Sequence, residues 1–258
     1  MIILVFFICL AAGTIGGICG IGGGVVIKPL LDALGIMPVS TVSFLSGLTV
    51  LAMACINVFK NRKSAETDAA RSIPLGIGAA VGGVAGKYMF SALKAAIGND
   101  NAVGGVQAIV LGVLVLGTLL YVLNKNRIVT KDIRGKAVCV LIGLFLGVCS
   151  SFLGIGGGPM NLVVLYYFFS MGTKQAAANS LLVILLSQAA SLIMTLATRT
   201  VPDFEWGNLI AMVGAGVLSG FISARLHKKL SEKLTDKLFI GLLAVILGIC
   251  VYNAVRML

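Results

Sequence analysis

The residues best placed to do chemistry are backbone rather than side chain. Gly20-Ile21-Gly22-Gly23-Gly24 returns as Gly154-Ile155-Gly156-Gly157-Gly158, shifted by 134 residues. A run of glycines cannot sustain a helix, since each costs ~1 kcal/mol relative to alanine in a helix interior. Both runs nevertheless lie inside long apolar segments, 2–34 and 137–169. Irregular backbone at membrane depth is tolerated only where it is buried in protein or lines a water-filled cavity. A helix restarting after such a break presents free N–H groups and the positive end of its dipole, which suits an anion. Gly22, Gly23, Gly24, Gly156, Gly157 and Gly158 are therefore candidate substrate-binding residues, and Pro159 fits the first helical turn after the second break. The competing reading gives the glycines only a packing role.

Few side chains can assist. Ser46 and Ser180 coincide under the 134-residue shift, Asn179 precedes Ser180, and Asn161 follows the second break. A buried amide needs several partners, which marks the asparagines; single hydroxyls more often bond their own helix. Lys28, four residues past Gly24, could reach an anion, whereas Lys87 is expected to snorkel. All nine acids read as lying at span ends or in loops, so no proton-relay carboxylate is expected at membrane depth. The single histidine, His227, reads as solvated in a basic loop. Gly214-Ala215-Gly216-Val217-Leu218-Ser219 only approaches a dinucleotide fingerprint, and no hydrolase, zinc or Cys-x-x-Cys motif occurs. The expectation is no enzyme, no cofactor and no metal; the six cysteines read as small core residues.

The elements that position these groups follow from composition. With 258 residues, 59% hydrophobic and 11% charged, the chain reads as an all-α, polytopic membrane protein. The net charge of +11 lies in loops, where the positive-inside rule accounts for it without nucleic acid. The expected partners are the lipid bilayer and a small anion; self-association into a homo-oligomer stays open. Clear spans are 39–59, 73–93, 103–123, 175–197, 206–224 and 238–255. Each glycine segment either crosses or re-enters, and Lys and Arg decide between these. If both cross, the basic residues divide 11 against 9. If both re-enter, one face collects 15, from Lys60 to Arg71, Lys125 to Lys136, Lys174, and Arg225 to Lys237, and the other face 5. The second division is the one a cytoplasmic face shows. The whole chain, 1–258, is then a single transmembrane domain of two repeats, 1–124 and 135–258, each a re-entrant hairpin plus three transmembrane helices. An odd number of crossings per half makes the second half inverted, with both termini outside.

Two copies of Gly-Ile-Gly-Gly-Gly, the second as Phe152-Leu153-Gly154-Ile155-Gly156-Gly157-Gly158-Pro159, followed by Ala178-Asn179-Ser180-Leu181, resemble the sulfite exporter TauE/SafE family over the whole length. The resemblance implies a multi-pass permease of the bacterial or archaeal inner (plasma) membrane that moves sulfite, thiosulfate, sulfonates, sulfoacetate or similar anions. It also implies seven or eight membrane segments, counting the glycine segments as crossings, so the hairpin topology rests on the charge count. The first half departs from the motif: Val25 stands where the second has Pro159, and Phe44-Leu45-Ser46 where it has Ala178-Asn179-Ser180. The function expected is transport of a small anion by alternating access around the two breaks. A passive anion channel or a non-transporting membrane assembly subunit are the alternatives.

Overall fold

The computed structural model describes residues 1–61, 69–155 and 157–257; Arg62, Lys63 and the candidate Gly156 lie outside the described residues. Each long apolar run becomes a helix, because a chain without water must satisfy its backbone polar groups internally. In order these are α1 (Ile2–Cys19), α2 (Gly24–Leu34), α3 (Val39–Asn61), α4 (Ala69–Ile97), α5 (Asp100–Asn124), α6 (Lys136–Leu153), α7 (Pro159–Phe169), α8 (Thr173–Ala197), α9 (Trp206–Lys229) and α10 (Glu232–Met257). No strand occurs among the described residues. Eight helices, all but α2 and α7, are long and apolar enough to cross a membrane.

Both glycine segments double back. α1 ends at Gly20, whose left-handed backbone (φ 76°) lets its N–H close the helix onto Gly16 O; Gly154 (φ 64°) ends α6 in the same way. A side chain on either would be strained, which is why glycine stands there. The chain then returns along its own long arm, since a Cβ on Gly23 would fall 2.6 Å from the Cα of Gly13. At the far end of this hairpin, Met1 and Ile2 line a pocket together with Ile36 and Met37. In the second hairpin the connection before α6 bonds the end of α7, Lys131 N–H to Tyr167 O at 2.7 Å and Ile133 N–H to Phe168 O at 2.9 Å.

The halves pack on each other reciprocally. α1 lies on α9 as α6 lies on α4; α3 lies on α9 as α8 lies on α4; α3 meets α8 and α5 meets α10. Small residues allow these approaches. Gly78, Gly82 and Gly86 of α4 face backbone of α6, while Gly143 and Gly147 of α6 face the carbonyls of Leu75 and Ala79 of α4. Without a hydrophobic drive between helices in lipid, such close contact is what holds them.

Contacts sort the connections into two ends. At the first, Ser40 donates to Asp100 at 2.8 Å, Thr41 to Asp203 O at 2.9 Å, and Arg256 to Ala33 O. At the second, Lys125 pairs with Asp236, Thr173 donates to Asp236 at 3.1 Å, and Arg71 pairs with Asp132 at 2.7 Å. His227 departs from expectation: it is buried in α9, its Nδ1 donating to Ile18 O at 2.9 Å. Helix α9 runs through Lys229 rather than stopping near Ala224, which carries the imidazole onto the end of α1.

Candidate functional site

The two hairpin tips meet inside the bundle. A Cβ on Gly24 would fall 2.1 Å from the carbonyl oxygen of Ile155, so the start of α2 abuts the second break. Each tip also reaches the helix that follows the other hairpin. Gly20 touches Ala177 of α8, and Gly154 touches Ser43 of α3. Ser46 Oγ donates to Gly154 O at 2.9 Å, capping a carbonyl that the helix end leaves free.

Beside the second tip lies a narrow crevice of about 450 Å³ including its open mouth. α3 supplies Ser43 and Gly47, α4 supplies Lys87 and Phe90, α6 supplies Ser151, α8 supplies Gln188, Ser191 and Thr195, and the break supplies Gly154. Lys87 is half-buried, with Nζ 5.2 Å from the Phe90 ring centre. It sits ten residues before the end of α4, ~15 Å into the bundle at ~1.5 Å per residue. The hydroxyls of Ser43 and Ser151 are buried and have no hydrogen-bond partner. A buried polar group left unpaired costs free energy, so these two are poised for a ligand. No Asp or Glu lines the crevice.

Behind the tip, a smaller, tight crevice of about 260 Å³ including its open mouth is lined by Ser150, Gly157, Gly158, Pro159 and Asn161. It receives the N-terminus of α7, with Gly158 extended at the cap and Pro159 at the first turn. The amide Nδ2 of buried Asn161 has no partner. Gln188 joins the two spaces, its Nε2 reaching Ser150 Oγ at 3.3 Å.

The expected residues therefore separate. Gly157, Gly158 and Asn161 surround the α7 N-terminus, and Ser46 supports Gly154 from outside the crevice lining. Gly22, Gly23 and Gly24 are buried in the packed first tip. Ser180 is fully buried with an unpartnered hydroxyl, and lines neither cavity. Asn179 is occupied, accepting from Ser72 and donating to Gln175 O at 2.7 Å. Lys28 is held by Asp32 at 2.6 Å, with both side chains 4% exposed. Asp32 sits in the last turn of α2, at the end of the first glycine segment as expected, but its carboxylate is buried. The fold-back brings α2 between α1, α3 and α10, which buries Leu31 and Asp32 while Leu34 stays exposed. Ser151 and Thr195 were not singled out by sequence; Ser43 is legible there only as one of several polar groups at helical spacing after the first break, and Lys87 as an isolated lysine in an apolar helix.

Eight helices long and apolar enough to cross a membrane, with a lysine-lined crevice free of carboxylates between them, are those of a multi-pass membrane protein. The chain belongs to the sulfite exporter TauE/SafE family, whose profile matches residues 5–249. That family comprises membrane transporters for sulfur-containing anions. No curated protein and no solved structure matches the chain.

Proposed function

We propose that this protein carries a small sulfur oxyanion across the inner (plasma) membrane, binding it in the crevice beside the second glycine break. The observation that carries this reading is the convergence of Lys87 with the unpartnered hydroxyls of Ser43 and Ser151, where no carboxylate competes. An oxyanion offers several acceptors and a charge that a half-buried ammonium complements at low dielectric. Gln188, Ser150 and Asn161 continue the donors toward the α7 N-terminus, giving the anion a route past the tip.

The halves, 1–124 and 135–258, act as an inverted repeat, and transport proceeds by one rocking against the other. Reciprocal packing and paired helix lengths support this: 18 and 18 residues for α1 and α6, 11 and 11 for α2 and α7. Collection of the basic loops at the second end supports a cytoplasmic orientation for it. The glycine segments then re-enter on the side where they began.

The experiment is proteoliposome uptake of sulfite, thiosulfate and methanesulfonate under a clamped potential. Saturable flux of at least one anion, with similar-sized cations excluded, is expected. Flux that stays linear with concentration would point to a passive channel, and cation flux at comparable rates would overturn the site.

A further inference from the structure

The Lys28–Asp32 pair lies outside the crevice, and its geometry is not that of a simple staple. The two residues are one turn apart on α2, 3% and 5% exposed, and joined through Asp32 Oδ2 at 2.6 Å. The second carboxylate oxygen, Oδ1, is buried and has no donor. On the same stretch of α2, Asn253 of α10 donates Nδ2 to Pro29 O at 2.7 Å, while its own Oδ1 is buried without a donor. A buried ion pair is stable only when its remaining lone pairs are satisfied. Here two acceptors lack donors, and a proton is the smallest species that supplies one.

Asp32 also has a route to water. It lines a cavity of about 720 Å³, including its open mouth at the first end, with Gly35, Pro38, Asn101 and Arg256. A metal cation is disfavoured because the Lys28 ammonium already takes the cation position. Among the described residues no cluster of His, Cys, Asp or Glu offers ligands.

We infer that Asp32, paired with Lys28, is a proton-binding site that couples proton movement to anion transport. The inference rests on the transporter reading above. Proton uptake converts the Asp32 carboxylate to the neutral acid and leaves Lys28 an unpaired ammonium. The site thereby gains one positive charge, one turn beyond Gly24 and its contact with the second break. An entering monoanion offsets that charge in the low-dielectric interior, so one proton accompanies each unit of anion charge. Release of the proton restores the pair and disfavours the anion.

The charged and titratable neighbours are few. α10 brings the Cys250 thiol and the Arg256 guanidinium, α5 begins with Asp100 held by Lys94 at 3.0 Å, and α1 carries the thiols Cys9 and Cys19. On α3, Cys55 and Lys60 lie in the far half of the helix. The second half has no equivalent: 134 residues on, Lys28 and Asp32 become Leu162 and Tyr166. Proton binding therefore belongs to the first hairpin alone.

Two measurements decide. Infrared difference spectra of the purified full-length protein between about pH 5 and 9, a range spanning well above the ordinary carboxylate value, should gain a carboxylic-acid band on acidification. That band should vanish in Asp32→Asn and shift in Asp32→Glu. Absence of an Asp32-dependent band overturns the inference. In proteoliposomes with an internal pH dye, methanesulfonate uptake should carry protons inward in the wild type. Asp32→Asn, or Lys28→Met with Asp32→Leu, should move the anion without them. Wild-type uptake with no accompanying proton overturns the coupling. If the wild type moves no anion at all, the transporter reading fails, and the infrared result still decides whether Asp32 binds a proton.

Discussion

The two hairpins share a plan and differ in what surrounds them. Both have an 18-residue arm, a left-handed glycine cap and an 11-residue return. The first tip is packed solid, with Gly23 against Gly13 and Gly24 against Ile155. The second has a cavity on either side. At positions 134 residues apart, Gly17 corresponds to Ser151, Ala177 to Ser43, and Phe221 to Lys87, and in these three pairs the polar member lines the crevice beside the second tip. In the returning arms the polarity reverses, Lys28 and Asp32 against Leu162 and Tyr166. The difference teaches that one backbone device can serve two ends: the second hairpin borders the proposed anion site, and the first carries a buried charge pair.

The strongest way to break that comparison is to add volume at each tip. Gly24→Val should cost about 3 kcal/mol or more, because its Cβ meets a backbone carbonyl that cannot swing away. Gly158→Ala should change stability by less than ~1 kcal/mol, since its backbone is extended and nothing lies closer than 3.7 Å. Thermal unfolding in detergent measures both, and equal losses would erase the contrast between a packed and an open tip.

Next in size is the crevice cation. Lys87→Gln should lower kcat/KM for the anion by about tenfold or more, the worth of a charged hydrogen bond at ~1.5–3 kcal/mol. Folding should be retained, because Lys87 makes no ion pair among the described residues. Flux unchanged in this variant would move the binding site away from the crevice.

The hydroxyls sharpen the same point. Ser43→Ala and Ser151→Ala each remove a buried group without a partner, so stability should hold or rise slightly. Anion KM should nonetheless rise by about three- to tenfold, one neutral hydrogen bond of ~1 kcal/mol. A matching fall in melting temperature would make these groups structural.

The smallest effect concerns the connection that ties the second hairpin to α4. Hydrogen bonds from Arg134 and Arg71 hold the Asp132 carboxyl below its usual value. A lowered value contributes stability above the unfolded carboxylate range of ~3.9, and that contribution disappears as pH falls through the folded value. Melting temperature should therefore be flat from about pH 7 to 5 and fall below about pH 4. In Asp132→Asn the acid-side fall should be shallower; an identical profile would show that the exposed cluster contributes nothing.

Sequence alone determined the helices and their breaks, because apolar run length and glycine propensity are local properties. The spans read as 39–59, 103–123 and 175–197 sit within α3, α5 and α8, and both helix breaks fall in the glycine runs. It could also have yielded the Lys28–Asp32 pair, whose i,i+4 spacing within an apolar segment is legible. Tertiary structure alone decided which polar residues share a cavity. Ser43, Lys87, Ser151 and Gln188 come from four helices and two halves, while Asn179, one residue from Ser180, turns instead toward Ser72. A soluble helix announces its inner face by a stripe of apolar residues. These helices are apolar all round, toward lipid as well as toward one another, so the facing of each polar side chain is fixed only when the helices pack.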